Sequence, residues 1–321
     1  MKRNEKKNFS LFFLLLTSLV ILPLVLAACV PRQAERSPGQ KQQSEEQQNQ
    51  EQNKILEELK EIKSSLEELT KRLEEKKELQ DNPQKLQQLM TQEQAGDKQG
   101  GQQGNNQQGK DKEQQEGGGK NGQEGEQGQQ PQQSQQPKIS PLKDWAKEEE
   151  QVTSLHEKWN SFEPKAVKSG INQAEINEFK EKLDELTLAV KSQDIQVSLL
   201  AVNGVYKYIP NFMEMFEQEN PPDVYRMRYE INEIIYNADS GKWSEAELGI
   251  KELKQTWPKV RLKLRSQDAD LTEKFEFSVN DLERILAKQD RELVKIKGKI
   301  ALDNLKQIEE KLKQASQQGA K

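Results

Sequence analysis

The sequence predicts an all-α protein whose main body is an antiparallel bundle of about six or seven helices over residues 139–321. Three observations carry that expectation. Apolar residues in this region recur at steps of three and four, the period of a helix face. Proline, glycine and capping side chains cut it into pieces of helical length. No stretch shows the period-two alternation of a half-buried strand.

Trp145, Val152, Leu155, Trp159 and Phe162 mark the first helix, opened by Ser140-Pro141 and expected to close before Pro164. Asn172 and Glu175 have capping-box spacing, and Ile176, Phe179, Leu183, Leu186 and Val190 follow on one face. The third helix, IQVSLLAVNGVYKYIP, is apolar nearly all round and therefore central. Asn220-Pro221-Pro222-Asp223 caps a fourth, which runs to Gly241. Ser244 and Glu247 box a fifth, carrying Ile250, Leu253, Trp257, Val260 and Leu264, with a kink expected at Pro258. Phe275, Val279, Leu282 and Leu286 define a sixth. Leu293, Ile296, Ile300, Leu305, Ile308 and Leu312 define a seventh, either separate from the sixth or continuous with it. About 180 residues are ample for one core.

Ahead of the bundle, Ile55, Leu59, Ile62, Leu66, Leu69 and Leu73 recur at steps of 4, 3, 4, 3 and 4, a heptad seam flanked by Glu and Lys. The seam then meets Lys76 and Gln80, and Asn82-Pro83 closes the helix. Residues 55–80 read as a short coiled-coil-like helix, either solvated or self-pairing, or awaiting a dedicated partner helix. Residues 81–138 form a low-complexity linker. Of the 47 residues 91–137, 17 are Gln, 11 are Gly and the only aliphatic is Ala95. Such a segment cannot offset an ordering cost of about 1–2 kcal/mol per residue and is expected to be a disordered spacer. Residues 29–54, rich in Gln, Glu, Ser and Pro, read as a shorter tether.

The N-terminus specifies an address. Lys2, Arg3, Lys6 and Lys7 precede Leu11–Leu26, a run without charge, and then come Ala27, Ala28 and Cys29. A positive end, an apolar core and small residues at a cut site are the parts of a secretory signal. The tetrapeptide Leu26-Ala27-Ala28-Cys29 resembles the lipobox of bacterial lipoproteins. That resemblance implies removal of residues 1–28, a diacylglyceryl group on the Cys29 sulfur, and a protein held on the cell membrane facing outside the cytoplasm. An uncleaved transmembrane anchor is the other reading of the run, with the same orientation. Cys29 is the only cysteine, so no disulfide staples the exported part. The globular part resembles bacterial lipoproteins of unassigned activity, which carries over no reaction.

Motifs for chemistry are sparse. The sole histidine, His156, has no thiol beside it to build a zinc or copper site. No phosphate loop, nucleophile elbow or Cys/His pair occurs, and the acidic stretches at Asp268 and Asn237 miss calcium-loop spacing. No metal, cofactor or catalytic residue is therefore assigned. Residues 139–321 carry 29 basic and 33 acidic residues, a balance that argues against nucleic acid and leaves Lys295, Lys297 and Lys299 as a solvated face.

One constellation stands out. On a helical wheel Val224, Met227, Ile231, Ile234 and Ala238 form one stripe and Tyr225, Tyr229 and Tyr236 a second, with Ile235 between them. Arg228 falls in this arc, while Arg226, Glu230 and Glu233 take the opposite face. A buried arginine must be paired. It is expected either in a structural ion pair or as the anchor of an anionic-ligand pocket lined by Tyr225, Tyr229, Tyr236, Trp159 and Trp257. The expected function is a lipid-anchored, non-enzymatic interaction or envelope-associated module. The alternative is small-ligand or ion capture around Arg228.

Overall fold

The computed structural model describes residues 38–99, 140–216 and 222–319. The segment expected to be a signal sequence, Cys29 and most of the Gln/Gly tract lie outside the described residues. The chain divides into residues 1–46 and a compact unit, residues 47–321. The first unit's described part is the opening of α1 (Pro38–Asp81).

Among the described residues every regular element is helical, so the all-α expectation holds. The chain continues through α2 (Pro83–Gln99), α3 (Ala146–Lys168), α4 (Gln173–Lys191), α5 (Ile195–Tyr206), α6 (Ile209–Glu214), α7 (Pro222–Asp239), α8 (Trp243–Arg261), α9 (Ala269–Leu286) and α10 (Arg291–Gly319).

Several boundaries follow the local chemistry. The Asn172 side chain accepts from the Ala174 amide at 2.8 Å and caps α4, and Asp194 does the same for Val197 at 3.0 Å in α5. Gly241, at φ +75°, ends the turn after α7 as expected. The next helix, however, starts from Lys242 without a side-chain cap, not from Ser244. Gln289, at φ +52°, separates α9 from α10, so these are two helices. Pro164 and Pro258 do not end α3 and α8. Each removes a bond to the carbonyl four residues earlier. Those carbonyls belong to Asn160 and Lys254, both exposed, where water can take the missing donor's place. The expected third helix is two, α5 and α6, joined through Lys207 and Tyr208.

The apolar side chains form two clusters with α7 as the wall between them. Val224, Met227, Ile231, Ile234 and Ala238 face the cluster built with α8, α9 and α10. Tyr225 and Tyr236 belong to the cluster built with α3, α4, α5 and α6, and Ile235 packs against both. The two stripes on the wheel are thus two interfaces. Gly249 and Gly298 let α8 and α10 approach α7: a methyl at Gly249 would come 2.8 Å from Ile234 Cγ1, and one at Gly298 would collide with Ile235.

The main departure concerns α1. Its seam neither faces solvent nor waits for a second copy. Leu59, Leu66, Leu69 and Leu73 are fully buried in the first cluster, with Ile55 and Ile62 nearly so. Each such side chain contributes about 1.5–3 kcal/mol over leaving it in water. Lys76 takes the next position of the seam and is also buried. Its Nζ donates to the carbonyls of Pro141, at 2.8 Å, and Asp144, lies 3.6 Å from Glu148 Oε2 and sits over the Trp145 ring. The expected separate domain at 55–80 is therefore the first helix of the bundle. The chain leaves α1 at Asp81 and re-enters the fold at Ser140, beside the same end of α1. The expected linker 81–138 thus connects two parts of one core, and Pro83–Gln99 within it is helical. α10 also departs: Val294, Gly298 and Ala301 are buried, while Ile296 and Ile300 are exposed. Close approach to α7 demands small side chains there.

If α1 is integral, Leu66→Ala should lower the unfolding free energy by about 2–5 kcal/mol in urea. Glu75→Ala, on the exposed face of α1, should cost under about 0.5 kcal/mol. Equal, small losses would mean that α1 is not docked.

Candidate functional site

Arg228 sits where α1, α5, α7 and α10 meet. Its Nη2 donates to Glu309 Oε2 of α10 at 2.7 Å, and its Nε lies 3.7 Å from Glu67 Oε1 of α1. The Tyr206 hydroxyl of α5 donates to the same Glu67 oxygen at 3.1 Å. Lys63 pairs with Glu67 Oε2 at 3.0 Å and lies over the Tyr225 ring, while Lys313 holds Glu309 Oε1 at 2.6 Å. Two turns further along α1, Glu74 accepts from the Tyr236 hydroxyl at 2.7 Å. A cavity of about 430 Å³ opens beside this junction, with Arg228, Tyr206, Glu67, Asn232 and Glu309 in its wall. Five cationic side chains and four carboxylates line it.

The electrostatics are those of a closed network. Burial works against the Arg228 charge, but Tyr206, Glu309 and Glu67 outweigh it and hold the guanidinium above its usual range. Burial likewise opposes the Glu309 carboxylate, yet Arg228 and Lys313 keep it below the usual range. Burial raises Glu74, and the Tyr236 hydrogen bond only partly offsets the rise. Tyr206 and Tyr236 are pushed well up, first by burial and then by the carboxylates beside them. Two buried atoms at this site have no hydrogen-bond partner among the described residues: Arg228 Nε and Asn232 Oδ1.

The residues expected around Arg228 are only partly assembled there. Tyr225 and Tyr236 adjoin the junction through Lys63 and Glu74. Tyr229 lines a different cavity, on the other side of α7. Trp159 stacks on Phe179 at 4.0 Å between ring centroids in the first cluster, and Trp257 packs on Phe275 at 4.6 Å in the second. Both tryptophans are core residues and neither lines the Arg228 cavity. Sequence reasoning missed Tyr206, Glu67 and Glu309. The first hides in an apolar helix, and the other two look like ordinary flanking carboxylates.

The supposed polar face of α7 is also partly interior. Glu230 is only 3% exposed, and Thr256 Oγ1 donates to its Oε1 at 2.7 Å. Burial first, then Glu252 and Asp223, push its carboxyl up to about 7 against the counter-effects of Thr256 and Arg226. Arg226 is engaged by Asp223 at 2.6 Å, Glu214 at 2.8 Å and Asn211 at 2.8 Å. His156 Nε2 and Thr187 Oγ1 share a hydrogen bond of 2.8 Å, so the ring is held between α3 and α4. Among the described residues no group of three His, Cys, Asp or Glu side chains is spaced to hold a metal ion.

No protein-family model, curated protein or solved structure matches this chain.

Arg228→Ala should cost about 3–5 kcal/mol by stranding Glu309 and Glu67. Arg226→Ala should cost about 1 kcal/mol or less, because its partner Glu214 is half-exposed. Urea unfolding of both variants checks the ordering. Glu230 gives a pH signature. Its folded value lies above its unfolded one, so its contribution is full below about pH 4.5 and is lost as pH rises through about 7. Glu230→Gln should therefore be more stable than the parent at pH 8 by about 1–3 kcal/mol, with the gain vanishing near pH 4. A gain independent of pH would refute the assignment.

Proposed function

We propose that this protein is a lipid-anchored, extracytoplasmic, non-enzymatic interaction module, tethered through Cys29. The observation that carries this reading is an apolar strip on the outer face of α9 and α10. The ion pair between Asp281 and Lys297, at 2.7 Å, and the bond from Asn304 Nδ2 to the Lys274 carbonyl, at 3.3 Å, fix an antiparallel register. That register sets Phe277 level with Ile300, and Ile296 lies one turn away. They are 68, 42 and 52% exposed. Grouped exposed apolar side chains of this kind suit a protein partner. The described helices include none long and apolar enough to cross a membrane. Attachment in this reading rests on the lipid, and 25 residues separate Cys29 from Ile55, the first buried position of the bundle.

A second reading, capture of a small anion by Arg228, is favoured by the place of its side chain in the wall of the 430 Å³ cavity beside Lys63, Lys306 and Lys313. Glu67 and Glu309 already neutralise that arginine, which weighs against it. Calorimetric titration with inorganic phosphate separates the two: saturable binding abolished by Arg228→Lys supports anion capture.

A photo-crosslinking residue placed at Phe277 or Ile300 in native membranes should give one discrete adduct, lost when Cys29→Ser prevents lipidation. The same residue at Leu248, exposed on α8, should not. Intact mass should show a lipid on Cys29. No lipid, or adducts equally strong from Leu248, would overturn the reading.

A further inference from the structure

Among the described residues the most exposed large apolar side chain is Leu262, at 87%, in the turn between α8 and α9. A cation occupies every second position around it: Lys259, Arg261, Lys263 and Arg265. Lys259 lies 3.9 Å from Asp223 and Arg261 3.2 Å from Glu276, both side chains remaining well exposed. Lys263 and Arg265 are exposed and enter no ion pair among the described residues. The turn itself is ordered. Val260 is buried and Leu264 packs against the second cluster. The amides of Leu262, Lys263 and Leu264 donate to the carbonyls of Pro258, Val260 and Arg261 at 3.2, 3.0 and 3.1 Å. Leu262 therefore stands out from a fixed tip, away from the core.

Its place in the bundle matters as much. α7 runs parallel to α1, because Lys63 lies over Tyr225, Glu67 faces Arg228 and Glu74 meets Tyr236. α8 runs antiparallel to α7, because Gly249 meets Ile234 and Thr256 meets Glu230. The α8–α9 turn thus lies at the end where α1 enters the bundle, and the chain preceding α1 leads back to Cys29. Residues 139–321 carry 29 basic and 33 acidic residues, so an anionic surface attracts this domain only where unpaired cations gather. Basic side chains hold anionic headgroups, and a leucine among them reaches the acyl boundary. A soluble polyanion has no use for the leucine.

We propose that the Leu262 tip docks on an anionic phospholipid bilayer, with Leu262 in the headgroup–acyl boundary and Lys263 and Arg265 on lipid phosphates. The proposal rests on the reading of a protein tethered to the membrane at Cys29, and it gives that protein an orientation. The end where α1 enters faces the bilayer, and the α9–α10 strip lies on the flank.

The test places an environment-sensitive fluorescent amino acid at Leu262 of the full-length protein, reconstituted in vesicles of phosphatidylcholine and phosphatidylglycerol in equal parts. A second labelled protein carries it at Leu188, 68% exposed near the opposite end of the bundle. The label at 262 should shift to the blue and lose about half its intensity to spin-labelled lipid, and the label at 188 should do neither. Vesicles of phosphatidylcholine alone, or the paired substitutions Lys263→Glu and Arg265→Glu, should abolish both effects. A label at 262 that stays in water, equal quenching at 188, indifference to charge reversal, or an equal shift with polyphosphate added in detergent would overturn the proposal. Intact mass tests the tether separately. Lipid on Cys29 with no shift at 262 overturns the docking alone, and a shift at 262 without lipid overturns the tether alone.

Discussion

A helix with six apolar residues in one buried stripe must find a surface of matching length, and much of this fold can be understood as the supply of that surface. The chain provides it from α3, α5 and α7, beyond an intervening segment of 58 residues, 82–139. Closing a loop of that size costs about 4 kcal/mol, plus a constant. Six buried aliphatic side chains return several times as much. Because α1 and its partner helices belong to one chain, docking within the chain is favoured over pairing with a second copy. The register is set by polar contacts. Lys76 fits only where the carbonyls of Pro141 and Asp144 and the Glu148 carboxylate converge, and Lys165 pairs with Glu58 nearer the other end. A one-turn slip would bury Lys76 without acceptors.

α7 turns that docking into a two-core architecture. Its aliphatic stripe serves one cluster and its tyrosine stripe the other; Ile235 between them packs on both, and the polar residues at the boundaries need partners on neighbouring helices. Arg228 on one boundary ties α1 to α10 through Glu67 and Glu309. Glu230 on the other is held by Thr256 of α8 but keeps one oxygen unsatisfied. Each boundary keeps one buried polar atom without a partner among the described residues, Arg228 Nε on the first and Glu230 Oε2 on the second, but only the first joins carboxylates of two other helices through a cation.

Much of this was legible beforehand, and the failures share a cause. Helix periodicity reports which face is apolar, so α3, α4, α8 and α9 and the two stripes of α7 could be read directly. It does not report what the face touches, so the 55–73 seam looked like a coiled coil. The signal was Lys76, a charge continuing the heptad stride, which an isolated coiled coil has little reason to place there. Ile296 and Ile300 fit the period but yielded to Val294, Gly298 and Ala301, because the α7–α10 approach selects for small size. Pro164 is a conventional stop signal, overridden where the orphaned Asn160 carbonyl can be hydrated, whereas α8 runs on through Pro258 as expected. Arg228 was identifiable as a charge amid tyrosines. Its partners Glu67 and Glu309 were not, since 161 and 81 positions separate them from it along the chain.

The integral place of α1 can be tested by cutting the chain on the far side of it. A specific protease site inserted at residue 120 allows the purified full-length protein to be cleaved under native conditions. If α1 is a core helix, the bundle fragment stays with the fragment that bears α1 at one-to-one stoichiometry through size-exclusion chromatography, and the two separate only on denaturation. Elution of a folded bundle fragment free of α1 would contradict the account.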